Sequence, residues 1–379
     1  MTATQPPNLV LVPERSATPL GDGRTTILHV VGARPNFVKM APVIAEARTR
    51  FGEAESVIVH TGQHYDQAMS EIFFSELGVP APDHMLGVGS GSHAEQTARV
   101  LERLEPVLRD ERPDVVLVPG DVNSTLAAAL CAARLGLPVG HVESGLRSFD
   151  RSMPEEINRI VADHLSQLLF LHSPEAEDNL RAEGVADDRF QFVGNTMIDT
   201  LVALEERFRG RGAARELGVE PGAFLLVTLH RPALVDGPLL GEAMAALARV
   251  AVDMPVIFPV HPRTRKMLGA DAPPGVRLID PVGYLDFLSL EADAAAVLTD
   301  SGGIQEETTY LGIPCFTLRD NTERPVTVRA GTNTLLGLDP GRIAEIPGLL
   351  GGLGGERPQP PEKWDGKASE RVADVLAGW

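Results

Sequence analysis

The sequence predicts an α/β protein built from two doubly wound parallel sheets. Three observations carry this. Short strand-like and longer helix-like stretches alternate along nearly the whole chain. The strand-like runs, such as DVVLVP and AAVLT, are almost continuously apolar, as expected where both faces of a parallel sheet are covered. And 379 residues are too many for one compact core, so two domains are the default.

In chain order, residues 1–24 are rich in Thr, Pro and Ser, with neither a basic nor an apolar leader region, and are expected to be a disordered lead-in. A strand at 26–31 leads through Gly32-Ala33-Arg34-Pro35 into a helix reaching about residue 48. Strands follow at 56–60, 114–118, 138–142, 167–171 and 190–193, with helices at 66–76, 93–110, 124–135, 154–165 and 174–183. The pattern pauses around 194–200 and restarts with strands at 224–229, 256–260, 276–279, 296–299 and 315–318. Helices are expected at 237–252, 284–291, 304–311 and 340–350. Residues 351–361, GGLGGERPQPP, read as a flexible linker, and 366–377 as a last amphipathic helix. The predicted domains are 25–196 and 197–365, with 366–379 returning to the first.

Composition narrows the function. The formal charge of −18 argues against a nucleic-acid binder, which needs a basic face. No apolar run is long enough to span a bilayer, so no membrane partner is expected. Only Cys131 and Cys315 occur, both in apolar segments, which fits buried free thiols and a cytoplasmic setting. Without a CxxC or HExxH pair, no metal site is expected. The first strand–turn–helix unit lacks G-x-G-x-x-G and an acid after the second strand, so NAD is not expected either. Lysine is rare beside arginine, which singles out Lys39 as a compact ammonium where a planar fork would not serve.

Ligands of open α/β sheets sit beyond the strand C-termini. The stretch 298–315, LTDSGGIQEETTYLGIPC, combines a strand end, a Ser-Gly-Gly turn and a helix start, which makes an anion site or an ordinary capped turn. Reactive residues gather at the other predicted strand ends: Asp121 in PGDVNST, Glu143 in HVESG, His230 and Arg231 after LLVTL, and His261 opening HPRTR. Glu155 and Glu156 open the next helix, where they also suit the helix dipole, and His141 suits a hydrogen-bonded core position. The expected cleft has carboxylates on one lip, with cations and the glycine turn on the other. Two buried carboxylates facing one cleft imply acid–base work with split pKa values. A diphosphate held by cations and amides, with carboxylates at a sugar carbon, defines a nucleotide-sugar enzyme.

The motifs GARPNFVKMAP, TGQHYD, PGDVNSTLAAAL, GHVESGLRS, MPEEINR, VGNTMID, TLHRP, HPRTR, DPVGY, TDSGGIQEE and RDNTERP occur in one order over residues 26–378. In this the chain resembles the non-hydrolysing UDP-N-acetylglucosamine 2-epimerase family. The resemblance implies a GT-B-like fold, a homodimer, and C2 inversion of UDP-GlcNAc to UDP-ManNAc through UDP elimination and re-addition, without cofactor. It implies supply of sugars for cell-surface polysaccharide. By motif, it places Asp121, Glu143 and Glu155 in proton transfer and His230 near the diphosphate or sugar. Arg34 and Lys39 would stabilise charge on UDP, with Arg231 and Arg324 also on the substrate. Ser301, Gly302 and Gly303 would cradle the phosphates, Glu307 meet the ribose and Phe287 the uracil. Gln63 and His64 mark a second-ligand loop. There the chain departs from the allosteric members, with Tyr65-Asp66 where they carry arginine. It departs again at Pro232-Ala233, after His230-Arg231. Rival readings within the fold are a 2-epimerase of a UDP-diacetamido uronic acid, a hydrolysing epimerase and a GT-B glycosyltransferase. Thr322-Glu323-Arg324-Pro325 favours the GlcNAc enzyme over the uronate one.

Overall fold

A computed structural model describes residues 25–62, 76–260, 262–268, 273–352 and 358–379, with Arg34, Pro262 and Arg263 by backbone alone. The expected lead-in at 1–24, nearly all of the helix at 66–76, Gln63, His64, His261 and the middle of the 351–361 linker lie outside the described residues.

The first sheet is wholly parallel, in the order β3-β2-β1-β4-β5-β6-β7. Its strands are β1 (Ile27–Val31), β2 (Ser56–His60), β3 (His84–Met85), β4 (Val115–Pro119), β5 (Val139–Ser144), β6 (Leu168–Leu171) and β7 (Phe190–Phe192). The second, also parallel, runs β10-β9-β8-β11-β12-β13, from β8 (Leu225–Thr228), β9 (Val256–Pro259), β10 (Val276–Ile279), β11 (Ala296–Thr299), β12 (Cys315–Thr317) and β13 (Asn333–Leu335). Every residue of β1, β4 and β11 is buried, which accounts for their unbroken apolar runs.

Helices cover both faces of each sheet. On the first sheet these are α1 (Arg34–Phe51), α2 (His93–Glu111), α3 (Asn123–Arg134), α4 (Pro154–Leu165) and α5 (Glu175–Ala182). Helix α2 shows why such segments fold locally. Ser92 and Glu95 close a capping box, with Ser92 N donating to Glu95 Oε2 at 2.9 Å, and Val100, Leu104 and Leu108 bury one stripe. On the second lie α6 (Thr196–Arg209), α7 (Ala213–Glu216), α8 (Pro232–Val235), α9 (Leu239–Val250), α10 (Pro262–Leu268), α11 (Tyr284–Asp293), α12 (Gly302–Leu311), α13 (Pro325–Arg329) and α14 (Ile346–Gly352).

The structure corrects the sequence reading at four places. Where the pattern pauses, α6 runs for 14 residues; Asn195 caps it through Met197 N at 3.0 Å, and Met197, Ile198, Leu201, Leu204 and Phe208 are buried. Its polar opening, GNTMIDT, hid that stripe. The short β3 and β13 extend the sheets by two and three residues, too few to show alternation. The helix expected at 340–350 is a 3-10 turn, Pro340–Glu345, followed by α14. That helix ends at Gly352, so 351–352 belong to it and not to a linker.

The last helix, α15 (Ala368–Gly378), buries Val372 and Leu376 in the core shared by α1 and the first sheet. Asp199 of α6 caps it, accepting from Ala368 N at 3.0 Å and Ser369 N at 2.6 Å. Both cysteines are buried free thiols. Among the described residues no helix is long and apolar enough to cross a membrane.

Candidate active site

In each sheet the strand order reverses between two neighbours, β1 and β4 in the first, β8 and β11 in the second. Chains leaving these strands diverge to opposite faces and open a crevice. Gly32 follows β1, Gly120 and Asp121 follow β4, His230 lies two residues beyond β8, and Asp300 and Ser301 follow β11. The two crevices meet. Arg324, from the loop after β12, pairs with Glu143 of β5, and Glu306 of α12 lies 3.1 Å from His172 Nε2 beyond β6.

Glu143 is the centre of this arrangement. Opposite β6, Val142 pairs with Phe170 and Ser144 with the next residue, Leu171, so Glu143 is the extra residue of a β-bulge. Its φ of 67° is left-handed, at a cost of about 1–2 kcal/mol for a residue with a Cβ. The bulge re-aims a side chain that regular alternation would direct elsewhere, and strain of this kind gathers at functional sites.

Cations hold the carboxylate. Lys39 of α1 pairs with Oε2 and Arg324 with Oε1. Burial alone would raise Glu143, but Lys39 and Arg324 outweigh it and keep the group below the ordinary carboxylate range. Gly120 closes the site from behind. Its φ is 61°, and a Cβ there would come within 3.1 Å of Lys39 Nζ and 3.5 Å of Glu143 Oε2. Asn36 ties the β1 turn to β4, accepting from Ala33 N at 3.2 Å and donating to Pro119 O at 3.4 Å.

Arg324 also reaches Glu306 Oε1 at 2.6 Å and Glu323 Oε2 at 3.3 Å. Burial raises Glu306, yet Arg324 and His172 bring it down to about 2. Arg319 makes two bonds to Glu323, at 2.7 and 3.0 Å. The expected division, carboxylates on one lip and cations on the other, is therefore not what forms. Cations and carboxylates interleave, because buried charges need partners at contact distance. For the same reason Glu143 is driven down, where two unpaired carboxylates would have split upward.

Asp121 and the acidic pair of α4 divide their tasks. Asp121 Oδ2 lies 2.6 Å from Arg159 Nη2, with its side chain reaching solvent. Glu156 is buried and accepts from Ser148 N, Ser148 Oγ and Phe149 N, each at 2.9 Å, and from Arg159 at 2.8 Å. It fixes the loop after β5. Glu155 is half-buried and has no hydrogen bond or ion pair among the described residues. Arg231 faces it across the domains. Burial, with Arg319 nearby, lowers Arg231 below the usual arginine range, and among the described residues its one carboxylate within ion-pair distance is Glu323 at 3.9 Å. An under-neutralised cation opposite a free carboxylate is poised for a ligand with both charge and hydroxyls.

His230 Nδ1 lies 3.0 Å from Asp300 Oδ1, while Asp300 Oδ2 accepts from the backbone of His230 at 2.8 Å and Arg231 at 2.7 Å. One ring nitrogen is thus anchored, and among the described residues the other has no partner. Burial raises Asp300, and His230 with these backbone bonds pulls it below the usual range.

Helix α12 starts at Gly302, two residues earlier than its apolar pattern suggests, which puts Gly302 and Gly303 in its first turn. Ser301 is the N-cap residue, but its side chain makes no cap bond. The hydroxyl and first-turn N–H groups are the donors an anion needs. Arg324 crosses this turn so closely that a Cβ on Gly302 would lie 2.5 Å from its Nη1. Glu307 is buried and accepts the Tyr284 hydroxyl at 2.7 Å, and Phe287 is half-buried on the same helix as Tyr284.

Of the predicted residues, Lys39, Glu143 and Arg324 meet directly, and Asp121, Glu155, His230, Arg231 and the Ser301–Gly303 turn rim the same interdomain region. Glu307 and Phe287 sit further along the second domain. Arg34 is placed by its backbone alone, at the start of α1. The sequence reading did not single out Arg159, His172, Asp300 and Glu323, and it placed Glu306 beside Glu307 for sugar hydroxyls, whereas it is held by Arg324 and His172. Asp300 had a signal, an Asp at a strand end before Ser-Gly-Gly; Arg159 reaches Asp121 and His172 reaches Glu306 across long sequence separations, while Glu323 is held by its neighbours Arg319 and Arg324. Among the described residues no group of three His, Cys, Asp or Glu side chains is arranged to hold a metal.

Two Rossmann-like domains with charged and hydroxyl-binding groups at their facing strand ends define a GT-B enzyme architecture. The solved Methanocaldococcus jannaschii UDP-GlcNAc 2-epimerase, in complex with UDP-GlcNAc and UDP, shares it at a TM-score of 0.84 and 39% identity, covering 94% of this chain and 100% of that one. A sequence profile described as UDP-N-acetylglucosamine 2-epimerase matches residues 46–377. The UDP-N-acetylglucosamine 2-epimerase of Methanococcus maripaludis is 42% identical over 83% of this chain and 88% of its own. The UDP-2,3-diacetamido-2,3-dideoxy-D-glucuronate 2-epimerase of Pseudomonas aeruginosa is also 42% identical, over 93% of this chain and 99% of its own. The chain belongs to the UDP-N-acetylglucosamine 2-epimerase family.

Proposed function

We propose that the protein inverts C2 of UDP-N-acetylglucosamine to give UDP-N-acetylmannosamine, reversibly and without releasing the sugar to water. The observation that carries this is Glu143, a carboxylate held low by two cations on a strained bulge that faces the anion-binding turn of the other domain.

Elimination breaks the C2–H and C1–O bonds and forms a C1=C2 double bond. The proton passes to a carboxylate and UDP leaves with the electron pair of the C–O bond. Re-addition of UDP at C1, with protonation of C2 from the opposite face, completes the inversion. The route needs proton carriers on two faces and a site that retains a departed diphosphate. Asp121, Glu143 and Glu155 supply the first. Arg34, Lys39, Arg231, Arg324 and the Ser301–Gly303 turn supply the second, with His230 beside the leaving oxygen. Glu307 takes the ribose hydroxyls and Phe287 the uracil.

The test is proton NMR of UDP-GlcNAc with the purified protein in D2O. Appearance of UDP-ManNAc deuterated at C2 is expected. Free UDP with ManNAc would make the protein a hydrolysing epimerase instead. A second reading, the same chemistry on a diacetamido uronate, has the Pseudomonas relative behind it. Exchange on that substrate alone would establish it.

A further inference from the structure

Helix α11 carries a carboxyl that the proposed chemistry leaves unused. Glu291 is 0% exposed, and neither carboxylate oxygen has a hydrogen-bond partner among the described residues. It lies seven residues beyond Tyr284 and so on the same face of α11, two turns along. That face looks onto α12, where Glu307 accepts the Tyr284 hydroxyl.

The groups that face Glu291 are Glu307 from α12, Tyr284 from its own helix and Cys315 from β12. Burial pushes Cys315 up to about 12 and Tyr284 well above its usual range, so both stay neutral. Helices α6 and α7 also pack on α11, and among the described residues Glu307 is the one charged group that acts on Glu291. An isolated carboxylate in dry surroundings is costly, and two carboxyls sharing such a site ionise one at a time.

We propose that Glu291 is a buried carboxylic acid, protonated at neutral pH, that leaves Glu307 as the single ionised partner for the ribose hydroxyls of a bound uridine nucleotide. The role of Glu307 rests on the function proposed above; the proton on Glu291 does not. Glu291 is a positioning residue, acting through Glu307. Two limbs in nucleotide affinity follow. Burial raises Glu307 to about 7, so affinity climbs as rising pH ionises it there. At alkaline pH Glu291 loses its own proton to solvent, two like charges face each other, and affinity falls.

Calorimetric titration with UDP across weakly acidic to strongly alkaline pH, on the wild type and Glu291→Gln, tests this. Ionisations of UDP itself are common to both proteins and cancel in the ratio of affinities. The wild type is expected to weaken at alkaline pH by up to about tenfold per pH unit relative to the variant, the limit for one linked proton. The variant keeps the rise near neutrality and lacks the alkaline fall. Infrared spectra supply a readout independent of ligand and of how well the variant folds. The wild type should keep a protonated carboxylic C=O band at mildly alkaline pH, where Glu307 has already ionised, and lose it only on stronger alkalinisation. Absence of that band, or the same alkaline weakening in both proteins, would overturn the proposal. If UDP binds neither protein, the nucleotide reading and the positioning role fall together, while the band still reports the Glu291 proton.

Discussion

Two histidines of this protein stand against aspartates near strand ends, one in each domain, and they have opposite surroundings. His141 of β5 is fully buried. Its Nδ1 lies 2.7 Å from Asp163 Oδ1, its Nε2 lies 2.7 Å from Gly120 O, and Asp163 is held in turn by Arg147 at 2.7 Å and Gly145 N at 3.1 Å. Every hydrogen-bonding position on that ring is committed. His230 keeps a side chain 50% exposed, and among the described residues only its Nδ1 is engaged, by Asp300. The same two side-chain types therefore form a fully engaged brace in one domain and a half-exposed, half-engaged pair in the other. What separates them is the second ring nitrogen. A histidine with both nitrogens satisfied and no solvent is architecture; one with a free, solvent-accessible nitrogen is what the proposed chemistry can use.

The largest effect should come from the brace. His141→Leu leaves Asp163 and Arg147 buried without their third partner and removes the bond to Gly120 O, the residue that backs Lys39 and Glu143. Breaking a buried pair from one side costs about 3–5 kcal/mol, read as a drop in the urea midpoint. A stability loss within a few tenths of a kcal/mol would mean that His141 is not the brace described, and the contrast would collapse. Next comes the group that the brace supports. Glu143→Gln keeps the shape but removes the proton acceptor, and turnover should fall by about 10²-fold or more while UDP still binds. Near-wild-type turnover would remove Glu143 from the chemistry.

His230→Gln sharpens the other side of the comparison. A half-exposed ring contributes little packing, so the urea midpoint should stay near that of the wild type. Turnover should fall by about 10²-fold if the free nitrogen moves a proton at the diphosphate or sugar. A variant that is unstable yet turns over normally would invert the two assignments.

The architecture was legible because parallel strands buried on both faces leave long apolar runs, and eleven of them can be counted off in order. What escaped were α6, whose polar first turn reads as a loop, and the two-residue and three-residue edge strands. The site was legible as a set of residue types at strand ends. Its wiring was not. Arg324 meets Glu143 across 181 positions, His172 meets Glu306 across 134, and no local pattern encodes such pairs. The bulge at Glu143 was equally invisible, since VGHVES reads as plain strand and the left-handed φ appears only when β5 is laid against β6. Glu156 looked like a partner of Glu155 and is instead consumed by the loop above it.

Asp300 offers the smallest effect and the finest test. Asp300→Asn is nearly isosteric, and an amide oxygen at the Oδ2 position can still accept both backbone bonds from His230 and Arg231. It loses the charge that faces His230 Nδ1. If orientation of the ring is what Asp300 provides, turnover should fall by about tenfold to 100-fold, as for other partners that fix a working histidine. The competing account is that Asp300 acts by holding the 230–231 backbone, and so Arg231. A double-mutant cycle separates them. Once His230 is glutamine, an aspartate that worked through the ring has nothing left to orient, and adding Asp300→Asn should cost no further turnover. One that worked through Arg231 should cost as much in the variant as in the wild type, and should appear chiefly in KM. The first outcome makes the His230–Asp300 pair a working counterpart of the His141–Asp163 brace. The second reduces Asp300 to a loop anchor, with His230 acting alone.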